Sequence, residues 1–191
     1  MSKRWMISMV CLAATSTVAP SYGYTHVVQP GETLAQIAQR VYGDTKRETV
    51  LVGQNGLDLQ GESAIVAGMR LEVPAPRHHT VKEHESWSDL SLRYLGDGGR
   101  ADYLARANDA VSWVPPVPGT ELVIPAVLTH LSSDRETTTD IARRYWNDPN
   151  RAWELNAYNG NRHDAPLRRG EIILVLLPSL TLTQAGREEA R

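Results

Sequence analysis

The sequence predicts an α+β fold of three tandem small βααβ modules, each a two-stranded antiparallel sheet covered by two helices. The first observation behind this prediction is a segment that occurs three times. Its copies begin at Thr25, His78 and Thr129, so the second and third follow the first by 53 and 104 residues. The second observation is that every copy carries two helix patterns between two short strand patterns. Self-similarity at a period of about 50 residues indicates one small unit that has been copied.

Each module opens with a short run of alternating apolar and polar residues, which is the pattern of a β-strand. These runs cover 25–28, 79–81 and 129–131. A residue with a side-chain hydroxyl then stands at a helix N-cap position, and the three are Thr33, Ser86 and Thr137. In module 1, Gln36 follows Thr33 by three residues, which predicts a capping box at the start of the helix.

The first helix of each module is predicted by apolar residues at helical spacing. They are Leu34, Ile37, Ala38 and Val41 in module 1, Trp87, Leu90 and Tyr94 in module 2, and Ile141, Ala142 and Tyr145 in module 3. A second helix is predicted to begin at Asp44, Asp97 and Asp148, and a proline follows the last of these. Its expected buried residues are Tyr103, Leu104 and Ala107 in module 2 and Trp153, Leu155 and Tyr158 in module 3.

The second helix is expected to end at Asn55-Gly56, Asn108 and Asn159-Gly160, because Asn and Gly tolerate the left-handed conformation of a helix C-cap. A closing strand then follows a glycine in every module, over 68–74, 119–125 and 170–175. The joints between modules, at 75–77 and 126–127, are short. The modules are therefore expected to form a compact array rather than loosely tethered beads.

The charge balance excludes one class of partner. The chain of 191 residues has 20 Lys and Arg against 22 Asp and Glu, a net charge near −2. Without a basic surplus to neutralise phosphates, no nucleic-acid partner is predicted.

The start of the chain has the pattern of a signal peptide. Lys3 and Arg4 precede a mostly apolar stretch over 5–14, and Ser21-Tyr22-Gly23 supplies the small residues of a cleavage site. The only cysteine, Cys11, lies inside this stretch, so the mature chain has no thiol. The sequence thus predicts export to a bacterial periplasm or cell envelope, with secretion left open. No segment after the signal is long and apolar enough to span a membrane.

The predicted boundaries are a signal peptide over 1–23 and modules 1, 2 and 3 over 24–76, 77–126 and 127–178. A polar tail, 179–191, remains. The tail has the pattern of a helix of barely two turns, which is too short to be stable alone. It is interpreted either as a frayed end or as the start of a further domain.

Module 1 carries a distinctive segment at 27–38, Val-Val-Gln-Pro-Gly-Glu-Thr-Leu-Ala-Gln-Ile-Ala. Tyr42-Gly43-Asp44, Asn55, Gly68, Leu71, Val73 and Pro74 follow it. With these residues module 1 resembles the LysM family, whose opening signature the segment 27–38 matches. Modules 2 and 3 gain support from their register with module 1. The resemblance implies binding of glycans that contain N-acetylglucosamine, chiefly peptidoglycan or chitin, with peptidoglycan as the expected partner.

The resemblance also implies a sugar groove between two loops. In module 1 the first loop comprises Gly31, Glu32, Thr33 and Leu34, and the second comprises Asn55, Gly56, Leu57 and Asp58, extending to Ile65 and Val66. The corresponding candidates in the other modules are Glu85, Ser86, Asn108, Trp113, Glu136, Thr137, Asn159 and Gly160. His84 and Arg135 replace Gly31, and Trp87 and Thr138 replace Leu34. These departures predict that glycan binding resides mainly in module 1 and that modules 2 and 3 are degenerate.

Several residues admit other interpretations. Trp113 is suited either to stacking on a sugar or to packing in the core. A metal site at His78, His79 and His84 with Glu83 and Glu85 is disfavoured, since His79 repeats His26 and His130 in the strand pattern. Glu32, Glu85 and Glu136 do not form a glycosidase pair, because each lies in its own module.

No catalytic residue, metal or cofactor is therefore predicted, and the chain is expected to be a non-catalytic glycan-binding envelope protein. Two alternatives remain open. One is a periplasmic scaffold whose degenerate modules bind envelope proteins. The other is the targeting region of a separately encoded cell-wall hydrolase.

Overall fold

The computed structural model describes residues 23–57, 65–160 and 165–191. Module 1 contains β1 Gly23–Val27, α1 Leu34–Tyr42, α2 Glu48–Gln54 and β2 Arg70–Pro74. Module 2 contains β3 Arg77–Thr80, α3 Trp87–Leu95, α4 Ala101–Arg106 and β4 Glu121–Ile124. The third unit contains β5 Ala126–Leu131, α5 Thr138–Trp146, α6 Ala152–Tyr158 and β6 Ile172–Leu177. A last helix, α7, covers Gln184–Glu189.

The predicted mixed α+β architecture with small antiparallel sheets is confirmed. The first and last strands of each unit pair antiparallel as a two-stranded sheet. A histidine of the first strand faces an apolar residue of the last strand in every sheet. These pairs are His26 with Leu71, His79 with Leu122, and His130 with Ile173. The repeated register gives every unit the same polar position at the edge of its core.

The helix starts follow the sequence closely. Thr33 and Gln36 form the predicted capping box, and Ser86 with Asp89 and Thr137 with Asp140 form two more. The side chains of Asp44, Asp97 and Asp148 each accept a hydrogen bond from the amide two residues later. Each Asp thereby begins a 3-10 turn, Thr45–Arg47, Gly98–Arg100 or Pro149–Arg151, that continues into the second helix.

Two expectations about the second helix are wrong. Its left-handed end residues are Gly56, Asp109 and Gly160, and not Asn108. Trp153, expected in the core, is 60% exposed. Helix α6 buries Ala152, Leu155 and Tyr158. At 100° per residue, Trp153 therefore falls on the outer face of the helix.

Two hydrophobic cores join the three units. One combines modules 1 and 3, for example Ile37 and Leu51 with Leu128 and Ile141. The other combines module 2 with residues of module 3, including Val127 and Leu176. Module 3 therefore lies between modules 1 and 2, and the array is compact, as the short joints predict.

The tail is not frayed, in contrast to one of the two expectations for it. Helix α7 packs against α1, the backbone amide of Thr183 donates to the carbonyl of Val41 at 2.9 Å, and Leu180 is buried. A six-residue helix that is unstable alone obtains from α1 the burial and the hydrogen bonds that it lacks.

Across the part of the chain that the structure describes, no helix is both long and apolar enough to cross a membrane. Asp58 and residues 1–22 of the predicted signal peptide, which include Cys11, lie outside the described residues, whereas Gly23, the last residue of that prediction, begins β1.

Candidate functional site

The first loop of every module has the same backbone conformation despite different residues. Gly31, His84 and Arg135 all have a positive φ, at 79°, 66° and 62° respectively. A left-handed conformation disfavours residues with a Cβ by roughly 1–2 kcal/mol, so His84 and Arg135 are held there by the surrounding turn. Loss of the glycine has therefore changed the side chain presented by the loop and not the path of its backbone. Gly31 is exposed, and an added Cβ would meet nothing within 4 Å.

The glutamate after this position turns inward in all three modules. Glu32 accepts from the amide of Gln29 at 2.8 Å, and its Oε2 lies 2.8 Å from His26 Nε2. Its other oxygen accepts from Arg40 Nη1 at 2.5 Å. Glu85 repeats this arrangement with His79 and Arg93, and Glu136 repeats it with His130 and Arg144. We refer to each set as the His–Glu–Arg network.

The three networks were only partly visible in the sequence. Sequence reasoning found the repeated histidines and glutamates but missed the arginines. Arg40, Arg93 and Arg144 occupy one repeat register, so the alignment that reveals the histidines also reveals them. The three residues of each network come from a strand, a loop and a helix, so no single local sequence pattern predicts that they meet.

The networks keep the glutamates ionised. Burial alone would raise the pKa of Glu32, but the Gln29 amide, His26 and Arg40 together lower this pKa to about 2. The Lys82 amide, followed by His79, lowers the pKa of Glu85 to about 2. For Glu136, burial is again opposed by His130 and the Ser133 amide, and the net direction of its pKa is downward. These carboxylates hold the first loop onto the sheet and are poorly suited to donate protons.

The second ring nitrogen of each histidine also has a partner. The hydroxyls of Tyr94 and Tyr145 lie 3.0 Å from Nδ1 of His79 and His130. In module 1 the corresponding residue is Val41, and Glu189 of α7 lies 3.5 Å from His26 Nδ1 instead. The tail therefore completes the network of module 1.

The second loop begins at an asparagine whose side chain is fully used inside the module. Asn55 donates to the carbonyls of Leu51 at 2.8 Å and Glu72 at 2.9 Å, and it accepts from the Glu72 amide at 2.8 Å. Asn108 and Asn159 make the same three bonds in their modules. Each asparagine ties the second helix to the closing strand.

The structure places the remaining candidates at different depths. The capping hydroxyls of Thr33, Ser86 and Thr137 each accept a bond from an amide of the first helix turn. Leu34 and Leu57 are buried, Ile65 and Gly56 are half-buried, and Val66 and Gly160 are exposed. Among the described residues, no three His, Asp or Glu side chains are placed to hold a metal ion.

The second loop of module 2 presents an apolar surface. Trp113 is 80% exposed, which rules out core packing for this residue, and Val114 and Val117 are exposed beside it. The indole N–H of Trp87 donates to the carbonyl of Val114 at 2.8 Å. Trp87, which replaces the leucine of module 1, thus holds this loop against α3. Trp87, Val114 and Val117 also line a cavity of about 460 Å³.

The three βααβ units, with the same network and the same asparagine bonds in each, define a class of small repeated modules. The model of the LysM domain matches residues 26–74 and 79–125, which together make up half of the chain. The chain belongs to the LysM family, and the two matches coincide with modules 1 and 2.

Curated relatives and solved structures are similar to parts of this chain. Esterase MT1326 and Esterase Rv1288 of Mycobacterium tuberculosis are each 25% identical to it over 153 residues, 80% of this chain and 33% of the relative. The chain thus spans about a third of the length of these relatives. The spore cortex-lytic enzyme SleL of Bacillus megaterium is 18% identical over 61% of this chain and 24% of its own, with a TM-score of 0.25. SleL of Bacillus cereus is 22% identical over 60% of this chain and 24% of its own, with a TM-score of 0.22.

Proposed function

We propose that this chain is an exported, non-catalytic protein of the bacterial cell envelope that binds glycan containing N-acetylglucosamine, with peptidoglycan as its natural partner. The proposal counts all three βααβ units, including 127–178, as LysM modules. Membership of the LysM family supports a binding role. The observation that carries the proposal is the open first loop of module 1, where the signature residues are intact and Gly31 is exposed.

In module 1 the sugar would lie between Gly31 and the second loop. Exposed amides at the start of a helix are donors for neutral sugar hydroxyls and acetamido oxygens. Val66, 65% exposed, and the half-buried Ile65 offer apolar contact for the acetamido methyl. Glu32 and Asn55, whose polar atoms are already bonded, would position the two loops rather than contact the sugar directly.

In module 2 the sugar would contact Trp113. An exposed indole ring offers a flat apolar surface that suits the face of a pyranose ring. The bond from Trp87 to Val114 restricts the motion of the adjacent chain, which lowers the entropy that binding would cost. Weak binding by separate modules would be reinforced by effective concentration along one glycan strand.

A reciprocal exchange at the first loop tests the proposal. Gly31→His introduces into module 1 the residue that module 2 carries at the same position with a positive φ, so the fold is expected to be retained. We expect about tenfold weaker binding to chitin oligomers and to purified peptidoglycan sacculi, a loss of about 1.4 kcal/mol. His84→Gly is the matched reverse change and is expected to leave binding equal or stronger. Failure of the folded chain to co-sediment with sacculi would refute the proposal.

A protein-binding scaffold is the second candidate function. It is favoured by His84, Arg135 and Thr138, which stand in place of signature residues, and by the exposed valines beside Trp113. Replacing Gly31 and Thr33 distinguishes the two functions. The double replacement is expected to abolish sacculus binding if the chain binds glycan, and to leave association with an envelope protein intact if the chain is a scaffold.

A targeting role for a separately encoded hydrolase is the third candidate. It rests on the two relatives named as esterases, of which this chain spans a third. A targeting region is itself inactive, so assays of the purified chain for muramidase, peptidase and esterase activity test whether this chain carries any catalytic activity of its own. The non-catalytic proposal expects none of them above the level of a heat-denatured control.

A further inference from the structure

A groove away from the glycan loops runs along the contacts between the three modules. It consists of two adjoining cavities of about 440 and 250 Å³ that share Arg151 and Pro178. Its walls come from the turn between α1 and α2, the end of α5, the start of α6, and α4. No described residue of the candidate glycan loops lines either cavity.

Positive side chains dominate the lining of this groove. The cations are Lys46, Arg47, Arg106, Arg143, Arg144 and Arg151, whereas the acids are Asp44 and Glu154. The whole chain has a net charge of −2, so this concentration is local and does not reflect an excess of basic residues. Like charges held along one concave surface favour an anionic occupant.

The six cations differ in whether a carboxylate of the protein already neutralises their charge. Arg143 pairs with Asp140 at 2.9 Å, Arg144 with Glu136 at 3.0 Å, and Arg151 with Glu154 at 2.9 Å. By contrast, no carboxylate within the described ranges lies at ion-pair distance from Lys46, Arg47 or Arg106. The unbalanced cations lie at the two ends of the groove, with Lys46 and Arg47 in module 1 and Arg106 in module 2.

The centre of the groove is held in place before any ligand arrives. The guanidinium of Arg151 donates twice to Glu154, at 3.0 and 2.9 Å, and lies 4.5 Å from the ring centre of Trp146. The indole N–H of Trp146 in turn donates to the carbonyl of Leu176 at 2.8 Å. A guanidinium fixed in this way loses little side-chain entropy on binding, and its Nη1, which the bonds to Glu154 do not use, can donate to phosphate or carboxylate oxygens.

We infer that this groove binds an extended oligoanion, a chain that carries phosphate or carboxylate groups, running from Lys46 and Arg47 past Arg151 to Arg106. The ligand must be extended because the cations without a carboxylate partner lie at opposite ends of the groove. A compact anion would reach either Lys46 and Arg47 or Arg106, but not both ends. Since no described residue of the glycan loops lines the groove, the oligoanion and the glycan bind independently.

The test uses the whole mature chain and two probes, a short linear inorganic polyphosphate and an oligoglutamate of similar charge. Binding is measured by calorimetry and by the shift of the Trp146 indole resonance, which reports on the centre of the groove. We expect saturable binding of at least one probe, and the stronger probe identifies the charged group. Lys46→Ala with Arg47→Ala is expected to weaken binding about tenfold. Pyrophosphate, which spans only one end, is expected to bind much more weakly.

The matched control removes the same two charges elsewhere. Arg70→Ala with Lys82→Ala changes two exposed residues outside the groove and is expected to alter affinity less than about twofold. Absence of saturable binding by both probes, or equal weakening by the two double variants, would overturn the inference. Binding of chitin oligomers by the Lys46→Ala/Arg47→Ala chain is expected to be unchanged, so failure of this inference is distinguishable from failure of the proposed function.

Discussion

Glu136 illustrates how much of this fold depends on single buried charges. Its side chain is 3% exposed and His130 beside it is fully buried, whereas the partner Arg144 is one-third exposed. A charge in such a place is tolerable only because its partners are fixed around it. Glu32 and Glu85 are less buried, with side chains 12% and 9% exposed, so they depend less on their partners.

Replacing this charge tests the argument. We expect Glu136→Gln to lower the free energy of unfolding by about 3 kcal/mol, because Arg144 and His130 lose a partner that they cannot replace. Urea denaturation measures the change. Glu83→Gln, at an exposed position of module 2, is the control and is expected to stay within about 0.5 kcal/mol of the parent. An equal effect of both substitutions would contradict a special role for Glu136.

The networks also predict a dependence of stability on pH. The pKa of Glu32 and of Glu85 is about 2 in the folded chain, below the ordinary value of 4.5 for glutamate. A depressed pKa contributes stability that is fully present above the unfolded value and is lost as the pH falls through the folded value. The free energy of unfolding is therefore expected to decrease between pH 4.5 and pH 2.

Urea titrations across this pH range measure the decrease. Asp89 and Asp140 also have lowered pKa values, through bonds from Ser86 and Thr137, and contribute in the same direction. Glu85→Gln is expected to make the free energy of unfolding less dependent on pH, without removing the pH dependence. A dependence that is as steep in this variant as in the parent would mean that Glu85 does not contribute.

At the scale of elements, α7 replaces a side chain that module 1 lacks. Glu189 accepts from Arg40 Nε at 2.7 Å and from the hydroxyl of Tyr24 at 3.3 Å, beside His26. Gly186 allows the close approach, since a Cβ there would lie 2.6 Å from the carbonyl oxygen of Val41. Glu189 of α7 thus takes the place beside His26 that Tyr94 of α3 takes beside His79 and Tyr145 of α5 takes beside His130.

Gly186→Ala tests this docking. Alanine favours an isolated helix by roughly 0.5–1 kcal/mol over glycine, so a purely local effect would stabilise α7. We expect the opposite, a loss of stability and faster amide exchange in 180–190, because the added methyl displaces α7 from α1. Gln184→Ala, at an exposed position of the same helix, is the control. Retained protection in the Gly186→Ala chain would show that α7 remains docked and that α1 accommodates the added methyl, which would contradict the close packing inferred at Gly186.

At the scale of the whole molecule, module 3 supplies part of the core of both neighbours. Gly53 of α2 lies directly against the hydroxyl of Tyr145 on α5, and Gln54 accepts from the amide of Thr129 at 2.9 Å. On the other side, Arg100 donates to the carbonyl of Tyr158 at 3.2 Å and lies over its ring. The modules are therefore expected to unfold together rather than one at a time.

A double-mutant cycle measures this coupling between modules 1 and 3. Gly53→Ala forces a methyl into the Tyr145 hydroxyl and is expected to cost about 2 kcal/mol. Tyr145→Phe loses the bond to His130, which is worth about 1 kcal/mol. The double variant is expected to cost less than the sum, because removing the hydroxyl relieves the clash. Strict additivity in urea denaturation would show that the two helices are not in direct contact in solution.

Features that depend on residues close to one another in the chain could be predicted from the sequence. The period of the repeat, the N-caps at Thr33, Ser86 and Thr137, and the buried helix positions all involve residues within a few places of each other. A capping bond reaches three residues, and a helical face repeats every three or four. Such interactions form in the same way wherever the segment lies, so the pattern alone predicts them.

Which surfaces pack against each other could be seen only in the folded chain. Trp113 and Trp153 are exposed although tryptophan is usually buried, and Arg40 joins a glutamate eight residues away and another at the end of the chain. Neither the docking of α7 nor the central place of module 3 follows from any local pattern. These contacts join residues up to 165 positions apart, and their energies depend on shape and charge brought together only after the modules have folded.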